Sequence, residues 1–402
     1  MTEENIIQNW RFWPVICLVF IFGFSMPIIM LAAPIYYIQQ GVEIIIISLL
    51  STALTITYSI SPIILNKLSN KLGRRKSVII AMIGAAGAQL VFYISLDPLV
   101  FLIEKLFEGF ILGFFFPNLQ ASISDNAEID HQKYLARFNL SWGIAGVFGL
   151  IFGALFLQFI NDLKILFYIN PIFLALNVFI AIFFFQNPIK DNVETQNIVI
   201  DVNQNKLDDP QKLLTTGKYY IPVIIPLLLI LASSFAAGNG TLLYPIKSAI
   251  LEYQPSSTYL VIVFATITQS LAMYLSSIIT LKKLKFYSSL TLLVYAFMFV
   301  FFTINESYFI FIILFMLSGL FYGFLYGAAS KLFLALNIIK KTSIYSSISE
   351  SSLGVSFFIS QILLGIVAGI NVNVAYLTLS VILLIIFFIT IALMKILKEE
   401  RE

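Results

Sequence analysis

Charge is scarce in this chain: 11% of its 402 residues are Asp, Glu, Lys or Arg, against about 25% in an ordinary soluble domain. One cysteine, Cys17, excludes an internal disulfide and a thiolate metal cluster, and one histidine, His131, excludes a His-rich metal site. No phosphate-binding loop is present, so nucleophile, metal and nucleotide chemistry begin with few parts, and no cofactor or nucleic-acid partner is expected. What the chain has is apolar surface, 59% hydrophobic residues and 15% aromatic. In water that composition would leave large sticky patches, whereas in a lipid bilayer the outside of the protein is apolar at no cost.

A membrane helix needs about 20 mostly apolar residues to cross a hydrocarbon core about 30 Å thick. Such runs lie at roughly 12–38, 44–65, 77–94, 99–124, 139–160 and 163–185, then at 220–246, 258–279, 288–304, 308–333, 344–370 and 372–396. The narrowest breaks are Asn161-Asp162 and Asn371-Val372-Asn373. The first run exceeds the 7–15 residues of a signal h-region and reads as a retained span. Lys and Arg collect in cytoplasmic loops. With the N-terminus inside, 21 of the 24 fall on the inner side, so both termini are expected in the cytosol of a cell-membrane protein. The polar stretch 186–219 then reads as a cytoplasmic linker between bundles 1–185 and 220–402.

The halves echo each other. Pro34 precedes Lys71 by 37 residues, as Pro245 precedes Lys282, and Gly109 and Gly113 in EGFILGFFFP match Gly319 and Gly323 in SGLFYGFLYG at a spacing of 210. Repeated six-helix halves place a solute site at their interface.

One loop gathers Lys67, Lys71, Arg74, Arg75 and Lys76 within ten positions, in NKLSNKLGRRKSVI. Gly73 permits a tight turn, and the two guanidiniums can grip carboxylates or helix C-terminal carbonyls. The stretch resembles the motif G-x-L-a-D-[RK]-x-G-R-[RK] between the second and third helices of the major facilitator superfamily. Leu68, Lys71, Gly73, Arg74 and Arg75 match; Asn66 replaces Gly and Asn70 replaces Asp. The resemblance implies an all-α integral membrane fold of twelve transmembrane helices in two six-helix bundles. It also implies that this loop latches the cytoplasmic bundle ends, with Asp125 as the acidic partner of Arg74 or Arg75. Lys105, Glu108, Gly109 and Gly113 are similar to the family's fourth-helix pattern, with Lys in place of Arg. The Gly-Pro step of the antiporter motif and the sugar-porter signatures are absent.

Glu104, Lys105 and Glu108 are the one dense charge cluster inside a span. Spacings of three and four set them on one helix face, and buried ionisable groups mark pathways. Glu108 is the expected proton-coupling group, with Lys105 as its modulating partner and Glu104 beside them. The bland alternative is a set of interfacial charges about 8 Å deep that snorkel to the outer surface. Glu350 reads either as an inner gate paired with Lys331 or Lys341, or as a solvated first-turn acid. Tyr322, Tyr326, Gln269 and Tyr36 are candidate cavity residues, with helix packing as the competing role; Gln39, Tyr37 and Tyr274 are of the same kind. Lys247 and Glu252, at the outer surface, are expected to be exposed. Pro27, Pro34 and Gly238-Asn239-Gly240 are expected to kink their helices.

The reading that emerges is a monomeric secondary transporter working by alternating access, coupled to protons and moving a neutral or amphipathic small organic solute. An uncoupled facilitator, a transport-dead sensor or scaffold, and a membrane-embedded lipid-modifying enzyme are the alternatives. The enzyme reading has only His131 beside Glu128 and Asp130 to start from.

Overall fold

The structure is a computed structural model and describes residues 11–125, 131–160, 162–187, 219–340, 344–394 and 398–399. The central part of the proposed linker lies outside these residues, as do Glu128, Asp130, Lys341 and the side chain of His131. Among the described residues, eleven helices are long and apolar enough to cross a bilayer. In the first half they are α1 Trp13–Gln39, α2 Ile44–Leu72, α3 Arg74–Tyr93, α5 Lys133–Ile160 and α6 Leu163–Phe183. In the second half they are α7 Ile224–Ile250, α8 Pro255–Ser276, α9 Lys283–Ile304, α10 Tyr308–Leu336, α11 Ile344–Ile370 and α12 Val372–Met394. The remaining span, α4, is built from two shorter helices, Pro98–Leu112 and Phe116–Ser124. Its apolar run is continuous, but the backbone breaks at Gly113–Phe115. The chain is therefore a multi-pass membrane protein with two six-helix bundles.

The short polar turns act as caps. Asp97 accepts from the backbone N–H of Leu99 at 2.8 Å and starts α4, and Asp162 accepts from that of Lys164 at 2.9 Å and starts α6. Between α11 and α12 the Asn371 side chain accepts from the N–H of Asn373 at 2.8 Å. In α7 the Gly238-Asn239-Gly240 stretch opens into one π turn, Asn239–Leu243. Pro27 and Pro34 stand inside α1.

The repeat seen in the sequence is a repeat of packing. α2 lies on α4 as α8 lies on α10, α1 on α5 as α7 on α11, and α3 on α6 as α9 on α12. Thr57 donates to the Leu106 carbonyl at 2.7 Å and Thr268 donates to the Met316 carbonyl at 2.7 Å. Beside each threonine a glycine lets the backbones meet. A Cβ on Gly109 would overlap the Leu54 carbonyl oxygen, and one on Gly319 would overlap that of Ala265. Small residues at such crossings gain dispersion contact that lipid cannot replace.

The two halves meet chiefly along α2 against α11 and α5 against α8, with smaller contacts of α1 on α7 and α4 on α11. Large side chains such as Ile172, Phe297, Ile385 and Phe388 point outward and are exposed, as lipid-facing residues are. The bundle end that carries Gly73 is called the basic end below.

Candidate functional site

Between the halves lies a cavity of about 260 Å³. Residues of α1, α2, α4 and α5 line it from one side and of α7, α8, α10 and α11 from the other, while α9 contributes Tyr295. Tyr322, Tyr326 and Gln269 are all in the lining. The two tyrosine rings stack at 6.1 Å between centroids, 15° apart. Tyr36 is not in it. That ring packs on Tyr37 and Phe167 and borders a separate pocket at the end opposite the basic one, because Pro34 precedes the last turn of α1, beyond the cavity. Tyr37 borders the same pocket and donates to the Leu96 carbonyl at 3.1 Å, and Gln39 and Tyr274 are exposed.

Glu350 also lines the cavity, and here the expected pairing with Lys331 is corrected, while Lys341 lies outside the described residues. Its carboxylate accepts from the Tyr58 hydroxyl at 2.7 Å and from the Gln120 amide at 2.5 Å, both in the opposite half. Lys331 instead donates to the Ile279 carbonyl at 2.6 Å. Nor is Glu350 a solvated first-turn acid: it lies in the second turn of α11 and is 3% exposed. A Cβ on Gly354, one turn on, would overlap the backbone at Ser59, so α11 sits directly on α2 at this level. Tyr58 and Gln120 were missed in the sequence because a partner 292 residues away in the chain leaves no local trace.

The first-half cluster is brought together. Glu104, Lys105 and Glu108 are 4%, 6% and 2% exposed, which rules out snorkelling to the surface. The Lys105 ammonium is paired with Glu104 at 3.3 Å and with Glu108. It also lies 5.3 Å from the ring centre of Phe92 and 5.6 Å from that of Phe101. Glu108 accepts from Gln89 of α3 at 2.9 Å, and Gln89 accepts from Asn170 of α6 at 2.8 Å. This amide relay was also missed, though two polar amides inside apolar runs are a legible sign. Lys105, Glu108, Gln89 and Asn170 border a side chamber of about 40 Å³. Met26, Met30, Leu54, Thr55 and Thr241 are shared by its wall and that of the central cavity.

At the basic end Gly73 has φ +85°, a conformation open to glycine and strained for other residues. The turn it makes reverses the chain from α2 into α3. The Arg74 Nε contacts Asp125 at 3.0 Å, and its Nη1 reaches Asn70 at 3.1 Å and Asn118 at 3.2 Å. Asn70 thus accepts from Arg74 as a neutral amide, where an aspartate would add a charge. Arg75 donates to the Ile182 carbonyl at 2.7 Å, in the last turn of α6. Leu68 and Lys71 are exposed.

Lys247 contradicts its expected exposure. It is 4% exposed, and its ammonium donates to the Phe302 and Thr303 carbonyls at 3.2 Å each and to the Asn373 side chain at 2.8 Å. Those carbonyls are the unpaired acceptors at the C-terminus of α9, where the helix dipole favours a cation. Glu252 is exposed, as expected.

The family model of the Major Facilitator Superfamily matches residues 15–333. The solved structure of the human organic anion transporter MFSD10 (TETRAN) shares the fold at a TM-score of 0.62 and 13% identity, covering 94% of this chain and 98% of that one. No curated protein matches the sequence. Two repeated bundles, a cavity shared between them and a match running from the first span into the tenth lead to one conclusion: the chain belongs to the major facilitator superfamily and is a membrane transporter, not an enzyme.

Proposed function

We propose that the protein is a proton-coupled secondary transporter of a neutral or amphipathic organic solute, acting as a monomer in the cell membrane with its basic end in the cytosol. Residues 1–185 and 220–402 rock as two bodies joined by 186–219, and the central cavity opens to each side in turn. The distribution of Lys and Arg supports the orientation. The Arg74–Asp125 pair, with Asn70, Lys71, Gly73, Arg75 and the exposed Leu68 around it, makes its side-chain contacts within the first half and shapes the inner end on which the second bundle closes in one of the two states. Glu350 with Tyr58 and Gln120 is the gate across the halves, and Lys331 braces α10 against α8 nearby.

One observation carries the coupling. Two buried carboxylates share one ammonium beside a chamber that adjoins the central cavity. The ionised set bears one uncompensated negative charge, which is expensive away from water. Taking up a single proton makes it neutral. Glu108 is the group that loads, since it alone of the two acids borders the chamber; Lys105 and Glu104 set its readiness. Rocking that exposes the chamber first to one side and then to the other moves that proton with the solute.

The test is uptake into proteoliposomes under an imposed pH gradient, read by an internal pH dye across a panel of organic solutes. Glu108→Gln should abolish gradient-driven accumulation while leaving downhill exchange. Accumulation by Glu108→Gln equal to the parent's would overturn the assignment.

A further inference from the structure

The central cavity carries an electrostatic signature that narrows its ligand. Among the described residues that line it, Glu350 is the sole side chain with a formal charge; there is no Lys, Arg or His. Both hydrogen bonds to its carboxylate come from neutral donors, Tyr58 and Gln120. A carboxylate offers about four acceptor positions, so further ones remain open to a ligand. An ionised carboxylate in so apolar a site lacks the counter-charge that would offset its desolvation. Lys105 cannot provide it, because that ammonium is committed to Glu104 and Glu108 in the side chamber.

The rest of the wall fits a particular body. Tyr322 and Tyr326 stack on one side, and on the other Phe116 meets Trp142 edge-on at 5.3 Å between centroids. Aromatic faces attract a cation at about 6 Å or less, and they hold apolar groups by area. A bare metal ion is a poor match, since it needs about six oxygen ligands and this wall is mostly ring and methyl. An organic anion is a poor match too, because it would be placed beside a carboxylate with no basic side chain in the lining.

We infer that the solute is an amphipathic organic cation, an amine or quaternary ammonium with an aromatic or branched apolar body, and that Glu350 is its specificity-determining residue. The inference rests on the transport reading above for the role of the cavity, and it narrows that reading to one charge class. The carboxylate that ties α11 to α2 and α4 is then also the group the ligand's charge addresses, so ligand entry acts directly on the contact between the halves.

The test is equilibrium binding of radiolabelled phenyltrimethylammonium to the purified full-length chain in nanodiscs, with no gradient applied. Its charge is permanent, so it cannot bind as a neutral molecule. N,N-dimethylaniline serves as the uncharged analogue and benzenesulfonate as the anion. Saturable binding is expected, with N,N-dimethylaniline displacing it about tenfold less well or worse and benzenesulfonate not displacing it. Glu350→Gln should weaken binding of the cation about tenfold or more, whereas Glu350→Asp should retain most of it. Absence of saturable binding, equal displacement by the uncharged analogue, or unchanged affinity in Glu350→Gln would each overturn the inference. The competition arm uses the parent chain, so it decides even if a variant fails to fold. A cation that binds through Glu350 yet never crosses a proteoliposome membrane would refute the transport reading and leave this inference standing.

Discussion

Glu350 in α11 of the second half accepts a 2.7 Å hydrogen bond from Tyr58 in α2 of the first half. The bond lies in a buried contact, at a level where Gly354 lets the two helices approach to backbone distance. With the bond from Gln120 it makes the carboxylate a tie between two bodies that, in the rocking proposed above, separate when the cavity opens on the basic side. A tie of this kind has to be strong enough to hold one state and weak enough to release it.

Tyr58→Phe deletes one donor to a buried acid, a loss of about 1–3 kcal/mol where the acceptor keeps no substitute. The apparent unfolding temperature in detergent should fall by a few degrees. In a Glu350→Gln background the same change should cost clearly less, with an interaction energy of about 0.5–3 kcal/mol. Equal losses in both backgrounds would mean that the bond does not hold the halves together.

Gly109 and Gly319 occupy corresponding crossings in the two halves, each against the carbonyl beside a bonded threonine. Gly109→Ala and Gly319→Ala should each destabilise by about 1–3 kcal/mol or more, because the added methyl meets backbone rather than a movable side chain. Gly87 is the control: nothing lies within 4 Å of the Cβ position there, and alanine should be tolerated. Thermal unfolding of the three variants checks this, and matching losses at Gly87 and Gly109 would contradict the packing argument.

Lys247 caps the end of α9 rather than facing water. Lys247→Met keeps the apolar stem but leaves the Phe302 and Thr303 carbonyls and the Asn373 side chain without their donor. The expected loss is about 1–3 kcal/mol for the unpaired acceptors, read as a lower unfolding temperature. A variant as stable as the parent would show that the ammonium contributes nothing to that cap.

What the sequence could tell divides along a physical line. The spans were legible because the bilayer demands long apolar runs, and the turns at Asp162 and Asn371 were visible as brief polar breaks that prove to be caps. The Glu104–Lys105–Glu108 set was legible because helical spacing alone brings the three together. The break in α4 was not, since Gly113–Phe115 sits in an uninterrupted apolar run. Lys247 was misread because its position near a helix end looks the same whether the side chain reaches water or the end of a neighbouring helix. The partner of Glu350 depends on which helices meet across the halves, and Lys331, on the preceding helix of the same half, was a mistaken choice.

The central claim is that the two bundles rock about the shared cavity. Electron–electron resonance distances test it most directly, on a chain in which Cys17 is replaced by serine. One label pair, at Lys67 and Lys283, spans the basic end, and a second, at Glu43 and Asn371, spans the opposite end. On acidification in nanodiscs the account predicts that one distance lengthens while the other shortens. Two distances that stay fixed, or that change in the same direction, would contradict it.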